Sequence, residues 1–214
     1  MFHSFSKSSS YEHRHSRHKI MSPYSAQSEH LWLEPLSAEK HIDDYHEMMI
    51  HPQTPAFSTR CTTIAQSKAY MLERLPHAEK PWIENYAILL RPDPASVMEN
   101  EPLKPRLIGA VGVIRFAEGS GAEVGYGIHP EYQGKGYATE ALRLFVELYW
   151  SRKREGDWNT LVAAVDPENT ASERVVQKVG FTKGNLQDED FEMWSESGKG
   201  RVVRHREWLL IGPS

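Results

Sequence analysis

The chain has 214 residues, 39% hydrophobic and 25% charged, with a formal net charge of −4 at pH 7. That length suits one sizeable core and is short for two, and so small a charge excludes a global field for nucleic acid or an anionic membrane. No apolar run approaches the ~20 residues a membrane helix needs, and Cys61 as the single cysteine excludes an intramolecular disulfide and a cysteine-based zinc site.

Residues 1–28 read as a polar tail rich in Ser and His, with Glu12 its one acid against Lys7, Arg14, Arg17 and Lys19. It lacks the apolar stretch of a secretory signal. Its composition partly fits a mitochondrial presequence, but Arg is sparse and no amphipathic helix is evident. His13, His15 and His18 suit a metal or a plain polar arm, and the plain arm is the expectation. With one cysteine in the whole chain, a reducing, cytoplasmic setting is expected.

Residues 29–214 are expected to form one domain. Leu31–Leu36 reads as a strand. Ser37 caps a helix through Ile50, with Ile42, Tyr45, His46 and Met49 at helical spacing, and His51-Pro52 ends it. Thr62 or Thr63 opens a second helix that Pro76 closes. Asn85–Leu90 is a strand, and the four prolines within 91–106 mark a loop. Leu107–Phe116 and Ala122–His129 read as an antiparallel hairpin about Glu118–Gly121. A helix follows over Ala138–Arg152. Leu161–Val165 is wholly apolar, as in a sheet covered on both faces. Asn169–Val179 is a helix ended by Gly180, and segments near 188–195 and 202–211 close the chain as a hairpin. The order predicts an α/β (α+β) fold, a mixed and mostly antiparallel sheet with one parallel crossover.

The segment Glu123–Ala138, E-V-G-Y-G-I-H-P-E-Y-Q-G-K-G-Y-A, carries the chemistry. A strand stops at Pro130, a glycine-rich turn follows, and an amphipathic helix opens. Helix starts leave amide N–H groups unpartnered and carry partial positive charge, and glycines let a phosphate approach them. A P-loop needs Ser or Thr after its Lys, but Gly136 follows Lys135. A dinucleotide fingerprint needs a third glycine where Thr139 stands, which argues against a nicotinamide-dependent oxidoreductase.

The run Gln133-Gly134-Lys135-Gly136-Tyr137-Ala138 resembles the Q/R-x-x-G-x-G/A signature of the GNAT superfamily of acyl-CoA-dependent N-acyltransferases. Asn169-x-x-Ser172 followed by Lys178-x-Gly180-Phe181 resembles that family's second block. The pairing Ala122-Glu123-Val124-Gly125-Tyr126 looks most like the branch of ribosomal-protein N-terminal acetyltransferases, which also holds small-amine acetyltransferases. The likeness covers roughly residues 29–211. It implies the family's twisted sheet flanked by helices, with acetyl-CoA as cosubstrate, no metal, and an amine acceptor met in a ternary complex by a monomer or homodimer. A non-catalytic acyl-CoA-binding regulator of the same fold is the alternative.

The resemblance also implies roles. Amides of Gly134, Lys135, Gly136, Tyr137 and Ala138, beside Gln133, would hold the diphosphate. The backbones of Tyr126, Gly127, Ile128 and His129 would pair with the pantetheine arm as an added strand. Asn169 would belong to the cofactor site, or serve only as a helix cap. A Tyr seven residues after Asn169 often protonates the leaving thiolate, but Val176 stands there, and Ser172 is the substitute. Glu123 is the candidate base, on one face with Gly125 and Gly127 unless a bulge intervenes; pairing with a surface cation is the other reading. At pH 7, neutralising an α-amine costs roughly 1 kcal/mol and a lysine amine nearly ~5, so an α-amine barely needs a base. The acceptor pocket would lie between the first two helices and the last hairpin. Acidic residues Asp188–Asp190 and Glu192 there would attract a cation or simply be solvated, and Trp32, Trp194 and Trp208 would line a slot or be core.

Overall fold

The computed structural model describes residues 22–54, 61–92, 105–117, 119–153, 156–191 and 201–213. The chain lays down β1 (Ala26–Gln27), β2 (Leu31–Pro35), α1 (Ala38–Ile50), α2 (Ile64–Leu72), β3 (Glu84–Leu90), β4 (Arg106–Ala117) and β5 (Gly121–Ile128). It continues through α3 (Tyr137–Trp150), β6 (Thr160–Val165), α4 (Thr170–Val179), β7 (Thr182–Phe191) and β8 (Arg201–Ile211). The strands form one sheet in the order β1-β2-β3-β4-β5-β6-β8-β7. Only the β5–β6 pair is parallel, joined by the α3 crossover. The mixed, mostly antiparallel architecture is the one expected. Among the described residues no helix is long and apolar enough to cross a membrane.

Strand alternation separates two cores. Leu31, Leu33, Ile88, Val111, Val124, Leu161 and Trp208 face α3 and α4, where they meet Leu142, Phe145 and Tyr149. Ala87, Leu89 and Leu107 face the other way and meet Tyr45, Met49 and Met71 of α1 and α2. Each such side chain removed from water contributes about 1.5–3 kcal/mol before entropy is set against it. Trp208, 2% exposed, is core and lines no slot, and the half-buried Trp32 stacks on Tyr24 with ring centroids 4.3 Å apart. Trp194 and Glu192 lie outside the described residues.

The polar tail ends earlier than expected, because Ala26 and Gln27 already pair with Leu33 and Trp32. Helix α1 buries His41, Tyr45, Met48 and Met49, a register shifted from the apolar stripe. Helix α2 opens at Thr63 with a full capping box to Gln66 and ends at Leu72, short of Pro76. Strand β7 begins at Thr182, well before residue 188.

Candidate active site

Strand β5 runs into a 3-10 turn, Pro130–Tyr132, because proline cannot continue the ladder. His129 caps this turn, its Nδ1 accepting the Glu131 N–H at 3.2 Å. The Tyr132 N–H donates to His129 O at 2.8 Å and the Gln133 N–H to Pro130 O at 3.2 Å. Gln133 then reaches back, its Nε2 donating to Ile128 O at 2.9 Å. Gly134 and Gly136 hold φ of 74° and 88°, a left-handed conformation that a side chain would strain. Open space lies where a Cβ would stand at either glycine.

Helix α3 starts with no side-chain cap at Gly136. Its first backbone bond is Glu140 N–H to Gly136 O, so the amide N–H groups from Gly134 to Thr139 have no partner among the described residues. Six free donors, a helix dipole and two absent Cβ atoms fit a diphosphate. Lys135 is exposed beside them, its Nζ 5.2 Å from the Tyr132 ring centroid. Glu140 fastens the mouth from below, accepting from Ser28 Oγ (2.8 Å), His30 N–H (3.0 Å) and His30 Nδ1 (3.1 Å). Burial alone would raise the Glu140 carboxyl, but these donors outweigh it and hold it below its ordinary value.

A gap opens beside β5. Strand β6 pairs with β5 only at Ala122–Leu161 and Glu123–Val162. From Val124 to Ile128 that edge is bare for roughly 13 Å, at about 3.3 Å per residue. The His129 N–H donates to Ile108 O at 2.8 Å, toward β4. Alternation then turns Gly127 toward β4 as well and leaves the peptide groups of Tyr126 and Ile128 facing the gap. Of the four residues expected to pair with a pantetheine arm, Tyr126 and the Ile128 N–H are thus presented, the Ile128 O being met by Gln133 Nε2. His129 is not, since its N–H is used and its ring is buried. Gly127 offers bare surface instead.

Across the gap, the Asn169 side chain accepts the Ser172 N–H at 3.0 Å, so its carboxamide oxygen serves as the α4 cap. Tyr126 Oη donates to Ser172 O at 3.2 Å and ties α4 to β5. Burial pushes the Tyr126 hydroxyl up to about 12, against the pull of that bond, so it remains a donor and not an acid. Val176 is fully buried, and no hydroxyl can act from that position. The Ser172 side chain is half-buried at the gap.

Glu123 does not present a free base. Arg115 Nε and Nη2 each lie 2.6 Å from its Oε2. A bulge between Val113 and Arg115 brings the guanidinium opposite it. The ion pair takes up Oε2, the cation-paired reading of this residue, and Glu123 sits where β5 and β6 are still joined. A separate cleft of about 830 Å³, lined by Pro76, Trp82, Glu84, Tyr86, Arg152 and Trp158 among others, opens at the start of β3 and contains none of these residues.

The family model described as an acetyltransferase (GNAT) domain matches residues 30–182. A probable N-acetyltransferase of Bacillus subtilis, YjcK, is 38% identical over 83 residues, which is 38% of this chain and 44% of that protein. The chain therefore spans less than half the length of that curated relative, and the same holds for B. subtilis YnaD, matched over 44% of its length. Among solved structures, a putative ribosomal-protein-serine acetyltransferase from Vibrio cholerae superposes with a TM-score of 0.61 at 18% identity, covering 86% of this chain and 95% of that one. The RimL ribosomal L7/L12 alpha-N-protein acetyltransferase in complex with coenzyme A gives 0.61 at 16% identity, covering 86% and 96%. At such identities the likeness is one of fold. The family model spans more than half of the sequence and the sheet order agrees with it: the chain belongs to the GNAT acetyltransferase family.

Proposed function

We propose that the chain is an acetyl-CoA-dependent N-acetyltransferase that transfers the acetyl group directly to a primary amine in a ternary complex. The observation that carries this reading is the meeting of six unpartnered amides, Gly134–Thr139, with the bare β5 edge that ends at Ile128. The amides suit the diphosphate, and the Tyr126 and Ile128 peptide groups suit the amide-rich arm beyond it. The thioester end would then lie in the gap near Ser172.

The amine nitrogen attacks the thioester carbon; the C–N bond forms, the C–S bond breaks, and the amine gives up a proton. Ser172 is placed to donate a hydrogen bond to the departing sulfur. The acceptor approaches from the α1/α2 side, where Gly127 leaves the strand open beside Gly125, which the Ile114 side chain covers. A protein N-terminus and a small amine both suit this floor. The fold neighbours include an enzyme described as acting on a ribosomal-protein N-terminus.

The test is thiol release from acetyl-CoA across peptides, polyamines, amino acids and aminoglycosides, with calorimetry of coenzyme A binding. Release with at least one amine is expected. Binding without release from any amine would instead favour a non-catalytic acyl-CoA-binding protein. Gly136→Val places a branched side chain in the open mouth at a left-handed position and should weaken coenzyme A binding at least tenfold. Unchanged binding in that variant would move the diphosphate elsewhere.

A further inference from the structure

With Glu123 engaged, the acceptor side of the gap lacks an assigned proton acceptor, and β8 supplies a candidate. Strand β8 pairs with β6 from Ile211 back to Arg206, opposite Thr160 to Val165, and there β6 ends. His205 is the next residue of β8 and pairs only with Gln187 of β7. No β6 residue stands between it and the gap.

Its face follows from register. Trp208 joins the α3/α4 core, so Arg206 shares that side and His205 and Glu207 take the other. Across the sheet that other side carries Ala164 opposite Glu207, Val162 opposite Leu209, and Glu123 opposite Val162. Alternation along β5 adds Gly125 and Gly127 to it. His205 and the glycine floor therefore look out on the same side, while Ser172 and Tyr126 close the gap from the opposite one.

His205 is 6% exposed, and its Nδ1 has no hydrogen-bond partner among the described residues. A buried nitrogen left without a partner keeps its lone pair or proton for a ligand. The acid on its own face, Glu207, is met by Gln187 Nε2 at 3.4 Å.

We propose that His205 Nδ1 accepts the proton of the acceptor amine, an assignment that rests on the acetyl-transfer reading above. As the amine lone pair forms the C–N bond and the C–S bond breaks, one N–H proton passes to Nδ1. The sulfur leaves as thiolate against the Ser172 hydroxyl. The imidazolium returns its proton to water once product departs.

The experiment is steady-state kinetics of wild type, His205→Ala and His205→Gln with the best amine of the panel, alongside calorimetry of coenzyme A binding and circular dichroism. A general base contributes 10²–10⁴-fold, so kcat should fall at least 100-fold in both variants with coenzyme A affinity unchanged. Added imidazole should restore at least tenfold of the loss in His205→Ala, which a structural role would not do. His205→Gln keeps a polar side chain at the site and reads the chemistry should the alanine variant unfold. Wild-type turnover in folded His205→Gln, or a loss in His205→Ala that imidazole leaves unchanged, overturns the role of His205 alone. Wild type that binds coenzyme A and acetylates nothing overturns the acetyl-transfer reading with it.

Discussion

His129 serves the turn before α3 through its ring as well as its backbone. Its neutral Nδ1 holds the turn that delivers Gln133–Gly136, and its ring packs edge-on to His51 (5.1 Å) and Tyr132 (5.7 Å). Burial lowers its pKa, and His51 and Arg106 push the same way against Glu131 and Glu47. The folded state therefore resists a proton that the unfolded chain accepts near pH 6.5. Above that pH both states are neutral and no penalty exists; as pH falls through it, stability is lost. His41 adds to this with the same sign, since burial lowers its pKa despite its bond to Glu34. Thermal midpoints should be level from pH 8 to 7 and fall toward pH 5, and His129→Asn, whose oxygen can still accept the Glu131 N–H, should shallow that fall. An identical slope in the variant would remove His129 as a cause. The glycines and Gln133 were legible in the sequence because their constraint is local. The burial of His129 and the engagement of Glu123 were not, because each depends on a partner brought across the sheet: Ile108 for one, Arg115 across a bulge for the other.

Among the elements, α1 shows why periodicity misplaced a buried face. His41 is 4% exposed because Ser37 N–H donates to its Nδ1 at 3.0 Å and its Nε2 donates to Glu34 Oε1 at 2.8 Å. A satisfied histidine buries like an apolar residue, yet no hydrophobic stripe announces it. Strand β7 was legible only in part for the opposite reason. From Thr182 to Gln187 it is an exposed edge with β8 as its one neighbour, so its residues carry no alternation of burial to read. Helix α3 was placed within two residues at either end, since its apolar stripe packs directly on the sheet. Its anchor, Glu140, was invisible, because Ser28 and His30 lie 112 and 110 residues away in sequence. Glu140→Ala strands those donors and should cost about 1–2 kcal/mol. That is a drop of roughly 2–8 °C in a thermal melt at this size. Coenzyme A affinity should also weaken, since the start of α3 loses its tie to β2; a variant as stable and as tight as wild type would deny the anchor any role.

For the whole molecule, the bare β5 edge and the free amides are sites of bonding left unsatisfied among the described residues, and the proposed cosubstrate would complete them. Acetyl-CoA at 100 times its dissociation constant should stabilise the fold by about 2.7 kcal/mol. Melting midpoints should rise with its concentration in wild type and rise less in Gly136→Val, which a thermal-shift titration reads directly. Fold class was legible because element order and glycine punctuation survive without tertiary knowledge. The slot of each strand was not: two segments reading as a closing hairpin gave no sign that the second lies inside the sheet.

That interior slot sets a timetable for biosynthesis. Strand β8 is translated after both of its neighbours, β6 and β7, yet it alone bridges them. Until it leaves the ribosome, β6 stays attached to the nascent sheet by two residue pairs and β7 by none. The His205 side of the gap thus takes shape only after β6 and β7 have both been made.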